Sequence, residues 1–388
     1  MSAALNSESL CNEQHPGRKA QTATRISFFV AGFVIASWAP LVPFVKHRLD
    51  INDASLGMLL LSVGMGSLLT MPFTGSLTDK FGCRTVILLA SAVLCVVLPM
   101  LTLADTIPVM AGALLFFGAA VGMIDISINI QAVFVERASG RAMMSGFHGF
   151  FSAGGIAGAS GVSAFLWMGL SPLMAILVIV ALLLALMSMA QAHLLRTTNK
   201  REGGPLLVIP RGWVMFIGLL CFIMFLAEGA ILDWSALFLT AERHLSSAQA
   251  GIGYAAFSVA MTIGRLNGDR LVNALGRYAI LTGGSLCAAL GLLLTISIDS
   301  ALTSILGFVM VGIGASNVVP ILFSAAGNQE IMPANRAIAS ITTVGYAGIL
   351  IGPTLLGFIA QLSNLSVAFG CVALLLLIVC ASARTITR

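Results

Sequence analysis

Gly75-Ser76-Leu77-Thr78-Asp79-Lys80-Phe81-Gly82-Cys83-Arg84 is a short charged segment set between two long apolar runs. Far downstream, Gly264–Arg277 (GRLNGDRLVNALGR) echoes it weakly and again follows an apolar run. A second echo joins Gly149-Phe150 to Gly345-Tyr346. Internal repeats of this kind mark many transporters, whose solute site lies near the midplane between the two copies.

Outward from these segments the chain is apolar. Only 9% of its residues are charged, against about 25% in ordinary soluble domains, which excludes a soluble enzyme. A bilayer core needs roughly 20 apolar residues per helical span. The apolar runs resolve into twelve spans, centred near Val34, Gly66, Ala92, Gly118, Gly154, Ile179, Phe225, Phe257, Gly284, Val311, Gly348 and Leu375. Glycine makes up 40 of the 388 residues, more than the usual ~7%, and small residues let membrane helices approach closely.

The expected fold is therefore an all-α integral membrane protein, with twelve transmembrane helices in two pseudo-symmetric six-helix bundles. Residues 1–24 read as a cytoplasmic tail, 25–193 as the first bundle, and 194–211 as a central cytoplasmic loop. Residues 212–388 read as the second bundle with a short cytoplasmic tail. The dividing segment, HLLRTTNKREGGPLLVIPRG (His193–Gly212), has the charges, paired glycines and prolines of a linker. The first 24 residues lack an apolar core, so no cleaved signal peptide is expected and the first span serves as the insertion signal.

Basic residues set the orientation. With an inside N-terminus, 17 of the 20 Lys and Arg fall in cytoplasmic segments; Lys46, Arg48 and Arg243 fall outside. Both termini are expected in the cytoplasm of a bacterium, with the chain in its inner membrane. The net charge of +5 is then a matter of topology and does not mark a nucleic-acid surface. The seven cysteines are scattered without CxxC spacing and read as reduced packing or loop residues. No metal site or cofactor motif is visible. The expected partners are a small-molecule solute, protons and the lipid bilayer, with the chain acting as a monomer.

The segment Gly75–Arg84 resembles the G-x-L-A-D-R-x-G-R-R loop between spans two and three of the major facilitator superfamily, with Thr78 and Cys83 as departures. With twelve spans and a second copy, the resemblance covers about Arg25 to Ile386. It implies a latch between the two halves built from Gly75, Asp79, Gly82 and Arg84, with Arg84 able to pair with Asp79. In the second copy Asn273 replaces the aspartate, so no latch is assigned there. His148–Ala159, Leu226–Phe238 and Ile124–Arg137 resemble segments of a bacterial inner-membrane branch near the fucose-permease-like sugar/proton symporters. A carboxylate in span four of those symporters handles the coupling proton, and Asp125 matches its position.

The residues read independently point the same way. Asp125 sits inside GAAVGMIDISINIQAVF (Gly118–Phe134). A carboxyl group at that depth costs several kcal/mol unless protonated, paired or hydrated. Asn129 lies one turn on, on the same face, and Gln131 lies on another. A buried acid that merely packs the bundle is the bland alternative. His148 precedes a glycine-rich run and can gate the path, pair with Asp125, or simply bond a carbonyl. Glu228 and Asp233 in span seven are about 140° apart around a helix, with Gly229 able to relax it. These two acids, Trp234, Asn129, Asn317 and Trp38 are the expected solute contacts, Trp38 offering a flat ring for a sugar or else an interfacial anchor. Asp125, Glu228 and His148 are the expected proton-coupling groups. Pro40 and Pro43 predict a kink at the outer end of span one.

Arg265 reads as too close to the cytoplasmic end to serve the cavity, so no cation is expected at the depth of these acids. An organic anion would want one, so a neutral or cationic solute is expected. The leading expectation is proton symport of a sugar-like solute. Superfamily exporters usually carry a glycine–proline pattern in span five; here Gly348-x-x-x-Gly352-Pro353 lies in span eleven. An exporter of cationic or amphiphilic compounds is the rival reading. No HExxH, GxSxG or nucleotide loop is present, and no soluble domain that could relay a signal is expected, so an enzyme or receptor is the least favoured class.

Overall fold

The structure is a computed structural model, and it describes residues 17–51, 53–196, 210–245 and 251–387. Twelve α-helices follow one another, and no strand occurs among the described residues. They are α1 (Arg18–Ser37), α2 (Val42–Leu49), α3 (Asp53–Leu103), α4 (Ile107–Ser139), α5 (Met144–Trp167) and α6 (Pro172–Ala190). The second half holds α7 (Trp213–Ala241), α8 (Ile252–Ser297), α9 (Ala301–Ala315), α10 (Val318–Asn328), α11 (Ala334–Leu362) and α12 (Leu365–Ile386).

Helices and membrane spans do not correspond one to one. Among the described residues, ten helical stretches are long and apolar enough to cross a bilayer. Two of them, Met58–Leu103 and Ile252–Ser297, run for 46 residues each. At about 1.5 Å per residue each is roughly twice the thickness of a bilayer core. Each is broken once, α3 at Gly82 (φ 80°, ψ 153°) and α8 at Gly276 (φ 83°, ψ 157°). That backbone region is essentially confined to glycine. The two breaks turn ten stretches into twelve spans, and their matching dihedrals are the structural form of the weak sequence echo. Around Gly82 the carbonyl oxygen of Arg196 would lie 1.7 Å from an added Cβ, whereas Gly276 faces open space.

Two other spans are interrupted differently. Span one consists of α1 and α2 joined by a 3₁₀ turn at Ala39–Leu41, where Pro40 and Pro43 were expected to kink it. Span ten consists of α9 and α10, separated at Ser316 and Asn317. Helix α1 begins at Arg18, inside the segment expected to be a tail. The expected central loop falls largely outside the described residues.

Glycine allows the tightest helix pairs. An added Cβ on Gly66 or Gly118 would sit 2.0 or 1.9 Å from a backbone oxygen of the facing helix, which locks α3 to α4 at backbone distance. In lipid such close approach, rather than expulsion of water, drives association. The even number of spans brings Arg18 at the start of α1 and Ile386 at the end of α12 to one end of the bundle. That end also carries the Gly82 and Gly276 turns, and it is called the terminal end below.

Candidate functional site

Asp125 lies near the middle of α4, and Asn129 stacks one turn below it as its spacing predicts. The Asn129 amide nitrogen donates to the Asp125 carbonyl oxygen at 2.9 Å and to its Oδ1 at 3.4 Å. Because the carbonyl can only accept, the amide orientation is fixed, and Asn129 Oδ1 faces His148 Nε2 at 3.1 Å. An amide oxygen accepts, so His148 donates through Nε2. The imidazole is also held edge-on by Phe28 and Phe323, with centroids 5.3 and 5.9 Å away.

A polar belt runs on from there in both directions. The Tyr346 hydroxyl of α11 faces the Asp125 carboxylate, within electrostatic reach of it. On the other side, Ser152 Oγ donates to the His148 carbonyl at 3.2 Å and accepts from Arg265 Nη1 at 3.1 Å. Arg265 Nη2 lies 3.5 Å from both carboxylate oxygens of Glu228. The sequence Tyr346–Asp125–Asn129–His148–Ser152–Arg265–Glu228 is thus continuous. It crosses between the two halves twice, at Tyr346–Asp125 and at Arg265–Ser152. All three expected proton-coupling residues lie on it.

Arg265 corrects the sequence reading. Its helix does not stop at the loop but runs on to Gly276, so Arg265 stands near the middle of its span, only 8% exposed. A cation therefore does occupy the depth of the acids, although Glu228 neutralises it. Its Nε is buried without a partner.

The expected solute contacts divide. Asp233 is exposed, and the Tyr254 hydroxyl lies within electrostatic reach of Asp233, Glu228 and Arg265. Both span-seven acids therefore face one neighbourhood. Trp234 packs its ring against Gly357 of α11, and its indole nitrogen is buried without a partner. Trp38 is buried among the core residues of the first half, so it does not anchor at a surface. Asn317 is buried, and its Oδ1 has no hydrogen-bond partner. It donates to the Gly264 carbonyl at 3.2 Å and to Ser316 Oγ at 2.9 Å, tying the break in span ten to α8. Gln131, on the other face as expected, accepts from Leu195 N–H at 3.0 Å.

At the terminal end the halves are joined twice. Asp79 accepts from Asn335 Nδ2 at 2.7 Å and from Arg336 Nε at 3.3 Å, at the start of α11. Arg336 thus takes the place expected for Arg84, whose backbone N–H donates to Leu195 at 2.9 Å. Gly75 lets α3 approach, since an added Cβ would lie 2.8 Å from the Asn335 oxygen.

The second joint lies in the repeat copy, where sequence reading assigned none. Asn273 accepts from Ala142 N–H at 3.0 Å and donates to its carbonyl at 3.1 Å. The start of α5, whose first N–H groups lack helical partners, is capped by an acid from each half. Glu136 accepts from Met143 and Met144, both at 2.8 Å, and Asp269 accepts from Gly146 at 3.0 Å. Glu136 also meets Arg277 at 3.4 Å and the Ser324 hydroxyl of α10. Sequence reading missed Glu136, Asp269 and Arg336. Only the Asp269-Arg270 pair inside the repeat hinted at them.

The comparisons agree with this architecture. A family model described as Major Facilitator Superfamily matches residues 26–329. An uncharacterized MFS-type transporter of Yersinia pestis is 66% identical over 96% of this chain and 97% of its own length. Membrane protein MosC of Rhizobium meliloti is 31% identical over 95% of this chain and 91% of its own length. Among solved structures, an E. coli fucose:proton symporter superposes with TM-score 0.79 at 15% identity, over 95% of this chain and 98% of that one. The human organic anion transporter MFSD10 superposes with TM-score 0.74 at 18% identity, over 95% and 99% of the two chains.

Proposed function

This chain belongs to the Major Facilitator Superfamily, and from that premise we propose that it carries a small neutral polar, sugar-like solute by proton symport with alternating access. It is a multi-pass membrane transporter and not an enzyme. The observation that carries the proposal is the belt, which sets Asp125 of the first half facing Tyr346 of the second. Protonation there removes the charge that faces Tyr346, so a proton and the rocking of the halves act on the same contact. Solute is received by Asn129, Glu228 and Asp233, beside Tyr254 and Arg265. Trp38, Trp234 and Asn317 remain proposed contacts.

A neutral solute is favoured because Glu228 already balances Arg265. The ground for disfavouring organic anions is weaker than the sequence indicated, since a guanidinium does stand there. A fucose:proton symporter and a proton:xylose symporter among the fold neighbours support uptake with protons. We place the terminal end in the cytoplasm of a bacterial inner membrane, on the distribution of Lys and Arg. The two joints then make this conformation the inward-closed one. The protein is proposed to work as a monomer.

The test is thermal stability of the purified protein in detergent, screened at two pH values with sugars, polyols, amine cations and organic anions. A ligand that binds the folded state alone raises its stability by mass action. Stabilisation by a hydroxyl-rich neutral compound, shifted by pH, supports the proposal. Stabilisation by bulky cations alone would support the exporter, and by organic anions alone would make Arg265 the recognition group.

A further inference from the structure

A cavity of about 440 Å³ opens at the terminal end, between the two halves and apart from the belt. Glu136, Arg137 and Arg141 contribute from α4 and the turn after it; Asn273, Arg277 and Asn328 contribute from α8 and α10. Three guanidinium groups thus line it with a single carboxylate. That carboxylate is only 4% exposed and is already committed to two backbone N–H groups, Ser324 and Arg277. Arg137 uses its Nε on Asn328, at 2.8 Å across the halves, which leaves both terminal nitrogens for another acceptor. Among the described residues neither Arg137 nor Arg141 has a carboxylate partner. The cavity therefore holds an excess of forked, permanently charged donors, the chemistry that recognises phosphate oxygens bidentately.

We propose that this cavity binds a phosphate-bearing anion, and that the anion holds the halves together at the terminal end. The site is whole only while the halves are joined there, because each supplies part of its wall. A ligand that binds one conformation better shifts the population toward it. The bound anion thus slows transport by favouring the state closed at this end.

The probe is inorganic pyrophosphate, added at constant ionic strength to the full-length protein in detergent, with sodium chloride as control. The test variant is Arg141→Gln, an exposed side chain outside both joints. Pyrophosphate is expected to raise the melting temperature saturably, with a midpoint roughly tenfold higher in the variant for the loss of one guanidinium contact. It should also slow maleimide labelling of Cys83, which is buried beside the first joint and away from the cavity. Nanodiscs separate the sources of the phosphate. If it belongs to a lipid headgroup, phosphatidylglycerol stabilises the wild type but not the variant, and pyrophosphate adds nothing there. If it is free in solution, pyrophosphate acts equally in phosphatidylcholine and phosphatidylglycerol. The absence of any saturable effect from either source, or an equal effect in Arg141→Gln, overturns the site. Saturable binding with unchanged Cys83 labelling overturns its holding role.

Discussion

Arg265 grips both carboxylate oxygens of Glu228 at 3.5 Å from one side of the second half, while its other terminal nitrogen reaches Ser152 of the first half at 3.1 Å. One side chain thus neutralises a buried acid and bridges the interface across which the halves must move. Breaking a buried pair by removing one partner typically costs about 3–5 kcal/mol, because the other charge stays behind unpaired. Arg265→Gln is therefore expected to lower the melting temperature sharply, and Arg265→Gln with Glu228→Gln to recover much of the loss. Melting curves of the two single variants and the double variant test this. Additive losses would mean the pair does not interact.

Asp125→Asn keeps the shape of the side chain and removes its titration. Uphill, proton-driven accumulation of solute is expected to vanish in proteoliposomes, while exchange of labelled solute across the membrane persists in part. If accumulation survives, coupling belongs to another group on the belt, first to Glu228.

Tyr346→Phe removes the hydroxyl that faces Asp125 from α11 and leaves the ring, which packs against Phe225 with centroids 5.8 Å apart. The expected result is a change in the pH profile of transport with the fold retained. A pH profile identical to wild type, with exchange intact, would remove Tyr346 from the coupling step.

The two turn glycines separate conformation from clearance. Gly276→Ala meets no atom within 4 Å, so it incurs only backbone strain, of order 1–3 kcal/mol for such sparsely populated regions. Gly82→Ala adds a clash with the Arg196 carbonyl oxygen. The melting temperature should fall in both and fall further in Gly82→Ala. Equal losses would show that the segment at Arg196 yields freely.

Asp79→Asn weakens the first joint by removing the charge that Arg336 binds. With Cys83 as the single cysteine, labelling by a membrane-impermeant maleimide should speed up by roughly tenfold, the equivalent of about 1.4 kcal/mol in the opening equilibrium. An unchanged rate would mean that the joint at Asn273, Glu136 and Asp269 keeps this end closed unaided.

The sequence by itself determined the twelve spans, their division into two halves, and the shared face of Asp125 and Asn129. These follow from local rules: apolar length against bilayer thickness and helical periodicity. Only the tertiary structure decided which partner each polar group meets. It paired Asp79 with Arg336 rather than Arg84, and raised Arg265 into the belt because α8 continues past it. It buried Trp38 and Asn317 inside packed contacts, and it placed Glu136 and Asp269 together on the start of α5. Those pairings join residues up to 257 positions apart in the chain. No spacing rule within one helix reaches that far, because such contacts are set by how the helices pack and cross.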